Sequence, residues 1–184
     1  MSKPRDPAST VDASRSQGSE ASPVDHATSL TKELTRVEEA NLAFYEAFMA
    51  RDVDRMALLW AKTPHVRCVH PGWELVVGWD DVRASWTEIL RSVQAVEFRL
   101  EDIHVEVTGR IAWVNLIAFV VLHTEDGDQF QATVVTTNIL EQIDGNWLFV
   151  LHHSSNFADD DEVGDDEDEL EFDTSGAMDF GDPN

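Results

Sequence analysis

From residue 96 onward the chain consists of four long β-rich runs, 96–108, 111–124, 128–143 and 146–155. They are separated only by the short polar segments Gly109-Arg110, Glu125-Asp126-Gly127 and Asp144-Gly145. Long runs joined by Gly-containing connections of two or three residues fold most simply as hairpins in series, so the predicted unit is an antiparallel meander. The preceding residues follow a different period. Across 30–50, Leu34, Val37, Phe44, Tyr45, Phe48 and Met49 recur at three- and four-residue spacing, which predicts a first helix. Asp52 is placed to cap a second helix carrying Val53, Met56, Leu59 and Trp60, which Pro64 ends by about 62–63. A short strand over 65–70 and a Pro71-Gly72 turn come next. Gly78 then leads into a third helix with Asp80 and Asp81 in its first turn and Val82, Trp86 and Ile89 on its buried stripe. Helices followed by a meander give an α+β order. Three N-terminal helices packed in a strongly curved antiparallel sheet would enclose a conical interior.

The charge is unevenly distributed. Of 36 acidic and 13 basic side chains, thirteen acidic and no basic ones fall in 158–184. Residues 1–29 are rich in Ser, Ala, Pro and Asp, with few large aliphatics, and neither end carries enough apolar surface to offset ordering entropy. The expected organisation is a disordered tail over 1–29, one domain over 30–157 and a disordered acidic tail over 158–184. A formal charge of −23 argues against nucleic acid and against anionic membranes, both of which require clustered Lys and Arg. The N-terminal Met-Ser-Lys-Pro-Arg-Asp has no apolar signal region, and the apolar run 111–122 is too short for a span, so a cytoplasmic location is expected.

The helical Phe44-Tyr45-Glu46-Ala47-Phe48 through Arg51-Asp52-Val53-Asp54, the Cys68-Val69-His70-Pro71-Gly72-Trp73 turn, the entry Gly78-Trp79-Asp80-Asp81-Val82-Arg83-Ala84-Ser85-Trp86, and the closing hairpin from Asp144-Gly145-Asn146-Trp147 to His152-His153-Ser154 carry a resemblance. Over about 33–157 the chain resembles the SnoaL-like branch of the nuclear transport factor 2-like superfamily, relatives of ketosteroid isomerase and the polyketide cyclases. The resemblance implies a cone-shaped α+β barrel with a pocket and, often, a dimer built sheet to sheet. It also implies departures from the isomerase pattern. The general-base Asp of that pattern falls on His70, and its helix 1 tyrosine falls on Phe44, with Tyr45 one residue away and turned about 100°.

His70 is the candidate catalytic residue, because an imidazole moves protons near neutral pH and the Pro-Gly turn would hold it at the mouth of the cone. Its structural alternative is a histidine that fixes the turn. Asn41 lies within the apolar stripe of helix 1. Tyr45, Trp73 and Trp86 are candidate ligand contacts, and four of the six tryptophans fall between Trp60 and Trp86. In the run 111–123 both faces are apolar, so both must be covered, one by the helices and the other by a partner sheet. That predicts a homodimer. Asn115 and His123 share the Trp113 face, lining the pocket if that face is interior and bordering the dimer if it is not. His152 and His153 project to opposite sides, so one of them can meet the pocket.

No cofactor motif is present: no Gly-x-Gly-x-x-Gly, no phosphate-binding loop and no Gly-x-Ser-x-Gly elbow. No metal is expected, since no ligand spacing is diagnostic. Two readings follow. In the preferred one, the cone binds a small apolar or aromatic molecule, and proton transfer of an isomerase, dehydratase or cyclase type through His70 is the natural chemistry for an enzyme. In the other, the chain is a non-enzymatic association module whose cone is filled by its own tryptophans and whose acidic tail, punctuated by Leu170, Phe172, Met178 and Phe180, contacts a partner protein.

Overall fold

The computed structural model describes residues 23–124 and 127–157. The elements run α1 (Pro23–Met49), α2 (Val53–Leu58), β1 (Arg67–Val69), β2 (Val76–Val77), α3 (Trp79–Ser92), β3 (Val93–Thr108), β4 (Ile111–Thr124), β5 (Gln129–Ile143) and β6 (Asn146–Asn156). Three helices pack against one curved, unclosed six-stranded sheet of order β2-β1-β6-β5-β4-β3, the predicted α+β architecture. Among the described residues, no helix is long and apolar enough to cross a membrane.

The first helix begins at Pro23 rather than at residue 30, so 23–29 do not belong to an unfolded tail. Those residues carry no apolar stripe, which is why periodicity missed them. The helix is anchored further along, where Val37, Asn41, Phe44 and Tyr45 are buried, and its N-terminal turns extend from that anchor with Pro23 in a favourable first-turn position. Glu33 then fastens it to the β5–β6 hairpin. One oxygen of its carboxylate accepts from Trp147 Nε1 and from Gln142 Nε2, each at 2.8 Å, while Arg36 donates both to Glu33 and to the Gly145 carbonyl. The Trp147 bond, aided by Arg36, holds the Glu33 carboxyl below the usual carboxylate range. The rest of the expected tails, 1–22 and 158–184, lies outside the described residues.

Asp52 caps α2 as expected, its side chain accepting from Arg55 N at 2.9 Å. The helix stops at Leu58, earlier than Pro64 requires. Its next residues are captured by the sheet: Phe149 N donates to Leu59 O at 2.8 Å and Ala61 N to Phe149 O at 3.0 Å, forming a parallel bridge that buries Trp60. Tertiary pairing outcompetes one further helical turn. The short strand β1 likewise pairs parallel with β6, aligning Cys68 with His152, and β2, which the sequence did not suggest, pairs with β1. Gly78, at φ 90°, turns the chain into α3.

Bulges between Glu101 and His104 in β3 and at Val150 in β6, opposite Ile139 and Leu140 of β5, bend the long strands. Their curvature sets the inside. On β4, Ala112, Val114, Leu116 and Ala118 are buried against the helices, while Trp113, Asn115, Ile117 and Phe119 face outward and remain half-buried. The core centres on Phe44, whose ring stacks on Phe149 at 4.9 Å and meets Tyr45 and Trp86 edge-on at 5.2 Å each.

Candidate functional site

A cavity of about 260 Å³ remains between α1, α3 and the inner faces of β3–β6. Its walls are largely aromatic and aliphatic, with Phe44, Phe48, Phe98, Val120, Leu122 and Val134 among them, and among the described residues no Asp, Glu, Lys or Arg lines it. The cone is open, which removes the expectation that its own tryptophans fill it.

His70 reaches the cavity from the end of β1. Pro71 and Gly72, at φ 77°, occupy the centre of a turn closed by Trp73 N donating to His70 O at 3.0 Å, a pattern that suits a Pro-Gly type II turn. The ring is buried, packed edge-on against Trp86 at 4.6 Å and Trp73 at 5.0 Å. Its Nε2 lies 3.0 Å from Ser85 Oγ, and Ser85 donates its single proton to Val82 O at 2.9 Å. His70 Nε2 is therefore the donor to Ser85, and Nδ1 keeps the lone pair. Cys68 Sγ stands 3.6 Å from Nε2 and 3.9 Å from Nδ1, a weak contact.

His152 enters from β6, one strand away. Its Nδ1 lies 2.7 Å from Asn138 Oδ1, and Asn138 Nδ2 donates to Asn41 Oδ1 at 2.8 Å. An amide oxygen only accepts, so this chain places the His152 proton on Nδ1 and leaves Nε2 unprotonated. The two imidazole centroids are 6.3 Å apart. Burial lowers the pKa of His70 to about 4 and, with the charges of His70 and His153 adding to it, that of His152 to about 3. Both rings are neutral at pH 7. Burial also drives the Tyr45 phenol up to about 12, against a smaller opposing pull from Thr136 and Asn138, and pushes the Cys68 thiol well above its usual range. Beside them Thr136 Oγ1 and Ser154 Oγ pair at 2.9 Å, so a small polar floor sits in an apolar chamber.

Of the residues expected at a site, His70, Tyr45, Trp73, Trp86 and His152 line one cavity. Asn41 stands behind it and acts on His152 through Asn138. Asn115 and His123 do not belong to it. They share the outward parity of β4, where Asn115 donates to Thr137 Oγ1 at 2.8 Å, because the Ala112 face, not the Trp113 face, is turned to the helices. Ser85, Thr136, Asn138 and Ser154 are cavity or supporting residues that sequence reasoning missed. Thr136 and Asn138 left one trace, as polar residues of the same parity as Val134 and Leu140 on β5. Among the described residues, no group of three His, Cys, Asp or Glu is placed to hold a metal ion.

The SnoaL-like domain family matches residues 37–160, two thirds of the chain. The chain belongs to that family. This SnoaL-like protein is 30% identical over 122 residues to the F-box protein SKIP8 of Arabidopsis thaliana, covering 66% of this chain and 50% of that one. It thus spans about half the length of that curated relative. Among solved structures it is similar to a candidate dehydratase of the nuclear transport factor 2-like family from Streptomyces avermitilis, with 31% identity, a TM-score of 0.66, and coverage of 70% of this chain and 99% of that one. It is also similar to a candidate association domain of calcium/calmodulin-dependent protein kinase type II from Thiobacillus denitrificans. There the identity is 28%, the TM-score 0.58, and the coverage 66% of this chain and 94% of that one.

Proposed function

We propose that this SnoaL-like domain binds a small, uncharged, largely apolar molecule in the cone and moves a proton on it, with His70 as the acid–base group. The observation that carries the reading is the pair of buried histidines held by Ser85 and by Asn138 in an otherwise apolar chamber. Each presents an unprotonated nitrogen, and an imidazole fixed by a hydrogen bond at its other nitrogen is oriented for proton transfer. Negative charge developing on a substrate beside His70 would favour the imidazolium that burial disfavours, so the ring gains a proton when the reaction needs it. Tyr45, held protonated by burial, is a donor for a substrate oxygen. Isomerisation, dehydration and cyclisation all fit this outline, and the likeness to the Streptomyces protein supports the proton-transfer class.

Deuterium exchange tests it without a known substrate. In D2O, the protein should accelerate loss of the α-protons of a bound bicyclic ketone, and His70→Ala should reduce that acceleration about 10²-fold or more while binding persists. Saturable binding without exchange sinks the proton-transfer reading and leaves a binding protein. The likeness to the Thiobacillus protein favours a second reading, a non-catalytic assembly module, and that outcome would support it.

We further propose a homodimer through the outward face of β4 and β5. Trp113, Ile117 and Phe119 are half-buried there and Val135 is exposed, an apolar strip that a second copy would cover. Light scattering at micromolar concentration should give twice the chain mass of 20.7 kDa, and a monomer would remove the dimer.

A further inference from the structure

We propose that Trp86 determines which ligands the cone accepts, its indole N–H taking up an acceptor oxygen of carbonyl type on an uncharged molecule. The inference rests on the pocket reading above and adds a residue and a ligand chemistry to it.

Trp86 lines the cavity and is 2% exposed, and its Nε1 is buried with no hydrogen-bond partner among the described residues. A buried donor in that state is unusual, because its hydrogen bond to water is lost on burial and nothing in the fold returns it. The indole of Trp147, in contrast, donates to Glu33 at 2.8 Å. Trp60 Nε1 and the Tyr45 hydroxyl are also unpartnered; Trp60 lies beside Phe149 outside this cavity, whereas Tyr45 lines it as a second donor.

Trp86 cannot easily turn away to find a partner. Its ring is wedged edge-on between Phe44 at 5.2 Å, Phe48 at 5.3 Å and His70 at 4.6 Å, with His152 at 5.6 Å. His70 Nε2 is committed to Ser85 and Ser85 to Val82, and the free ring nitrogens His70 Nδ1 and His152 Nε2 do not hydrogen-bond the indole, although both rings pack against it. The partner must therefore arrive with the ligand.

The chemistry of that partner follows from the walls. An indole N–H only donates, so the ligand atom must accept. A carboxylate or phosphate would accept as well, but no cationic side chain among the described residues lines the cavity to offset the loss of its hydration. A neutral carbonyl oxygen meets both conditions. Supplying the missing hydrogen bond is worth roughly ten- to a hundredfold in affinity.

Two probes of nearly the same shape isolate this term, 1-tetralone and its parent hydrocarbon tetralin. The wild-type protein should bind the ketone about tenfold or more tightly than the hydrocarbon. In Trp86→Phe that ratio should fall about tenfold, any remainder belonging to Tyr45, with tetralin binding little changed, a pattern that general damage to the pocket would not produce. Should the variant not fold, the wild-type protein decides. With the indoles labelled in ¹⁵N, the Trp86 N–H resonance, assigned by its contacts to Phe44 and Phe48, should move downfield with the ketone and not with tetralin. An unmoved Trp86 resonance under saturating ketone, or a ratio unchanged in Trp86→Phe, overturns the proposal. Equal binding of the two probes overturns it while leaving the pocket in place, and failure of both to bind overturns the pocket reading with it.

Discussion

Replacing Phe44 with alanine should destabilise the domain by about 3–5 kcal/mol, the range for truncating a fully buried aromatic. Phe44 is 1% exposed, and its ring touches Tyr45, Trp86, Phe149 and His152, so it joins α1 to α3 and to the last strand. Removing it takes away burial and also leaves a hole between three elements that cannot close without moving the sheet. Urea unfolding read by far-UV circular dichroism measures the change. A loss below about 1.5 kcal/mol would mean that the chamber collapses around the vacancy, and that the aromatic cluster does not hold the cone open.

The second large effect is acid sensitivity with a defined origin. An unfolded histidine titrates near 6.5, whereas His70 in the fold does so at about 4 and His152 at about 3. Between those values the unfolded chain binds more protons than the folded one, so stability falls as pH falls. The stabilisation is complete above about pH 6.5 and is lost on the way down to 4 and then 3. For His70 the loss at pH 4.5 amounts to about 2–3 kcal/mol. The 36 acidic side chains act in the opposite sense over part of this range, because neutralising some of them relieves the self-repulsion of a chain of formal charge −23. A comparison of variants separates the two. His70→Asn should lose less stability than the wild type between pH 7 and 4.5, by about that amount, and the His70 ring protons should not titrate by NMR until near pH 4. A His70 ring that titrates near 6.5 would place it in contact with water and remove the basis for a dry proton-transfer site.

The elements could be read from the sequence because their causes are local. The stripe from Val37 to Phe48, the Asp52 cap, the Pro71-Gly72 turn and the Gly-containing hairpins act within a few residues, and the structure places each where those signals lie. The limits of the local signals show at two places. Residues 23–29 are helical without a stripe of their own, held by packing further along the helix, and α2 yields its last turn to a bridge with Phe149, a partner far along the chain.

The site was only half legible for the same reason. His70 could be singled out because the turn that presents it is next to it in sequence. Its partner Ser85 stands fifteen residues away, past a strand and inside the next helix, and His152 is oriented by Asn138 and Asn41 from two other elements. No local pattern links them. Asn115 and His123 show the ambiguity most clearly. Alternation along β4 separates its two faces without error, but both are apolar, and composition cannot say which is inside. The sequence by itself determined the order and type of the elements and two candidate surfaces for the cone. Only the tertiary structure chose between those surfaces, because the choice depends on which way the bulged strands curve around the helices, and that curvature arises from contacts between residues far apart in the chain.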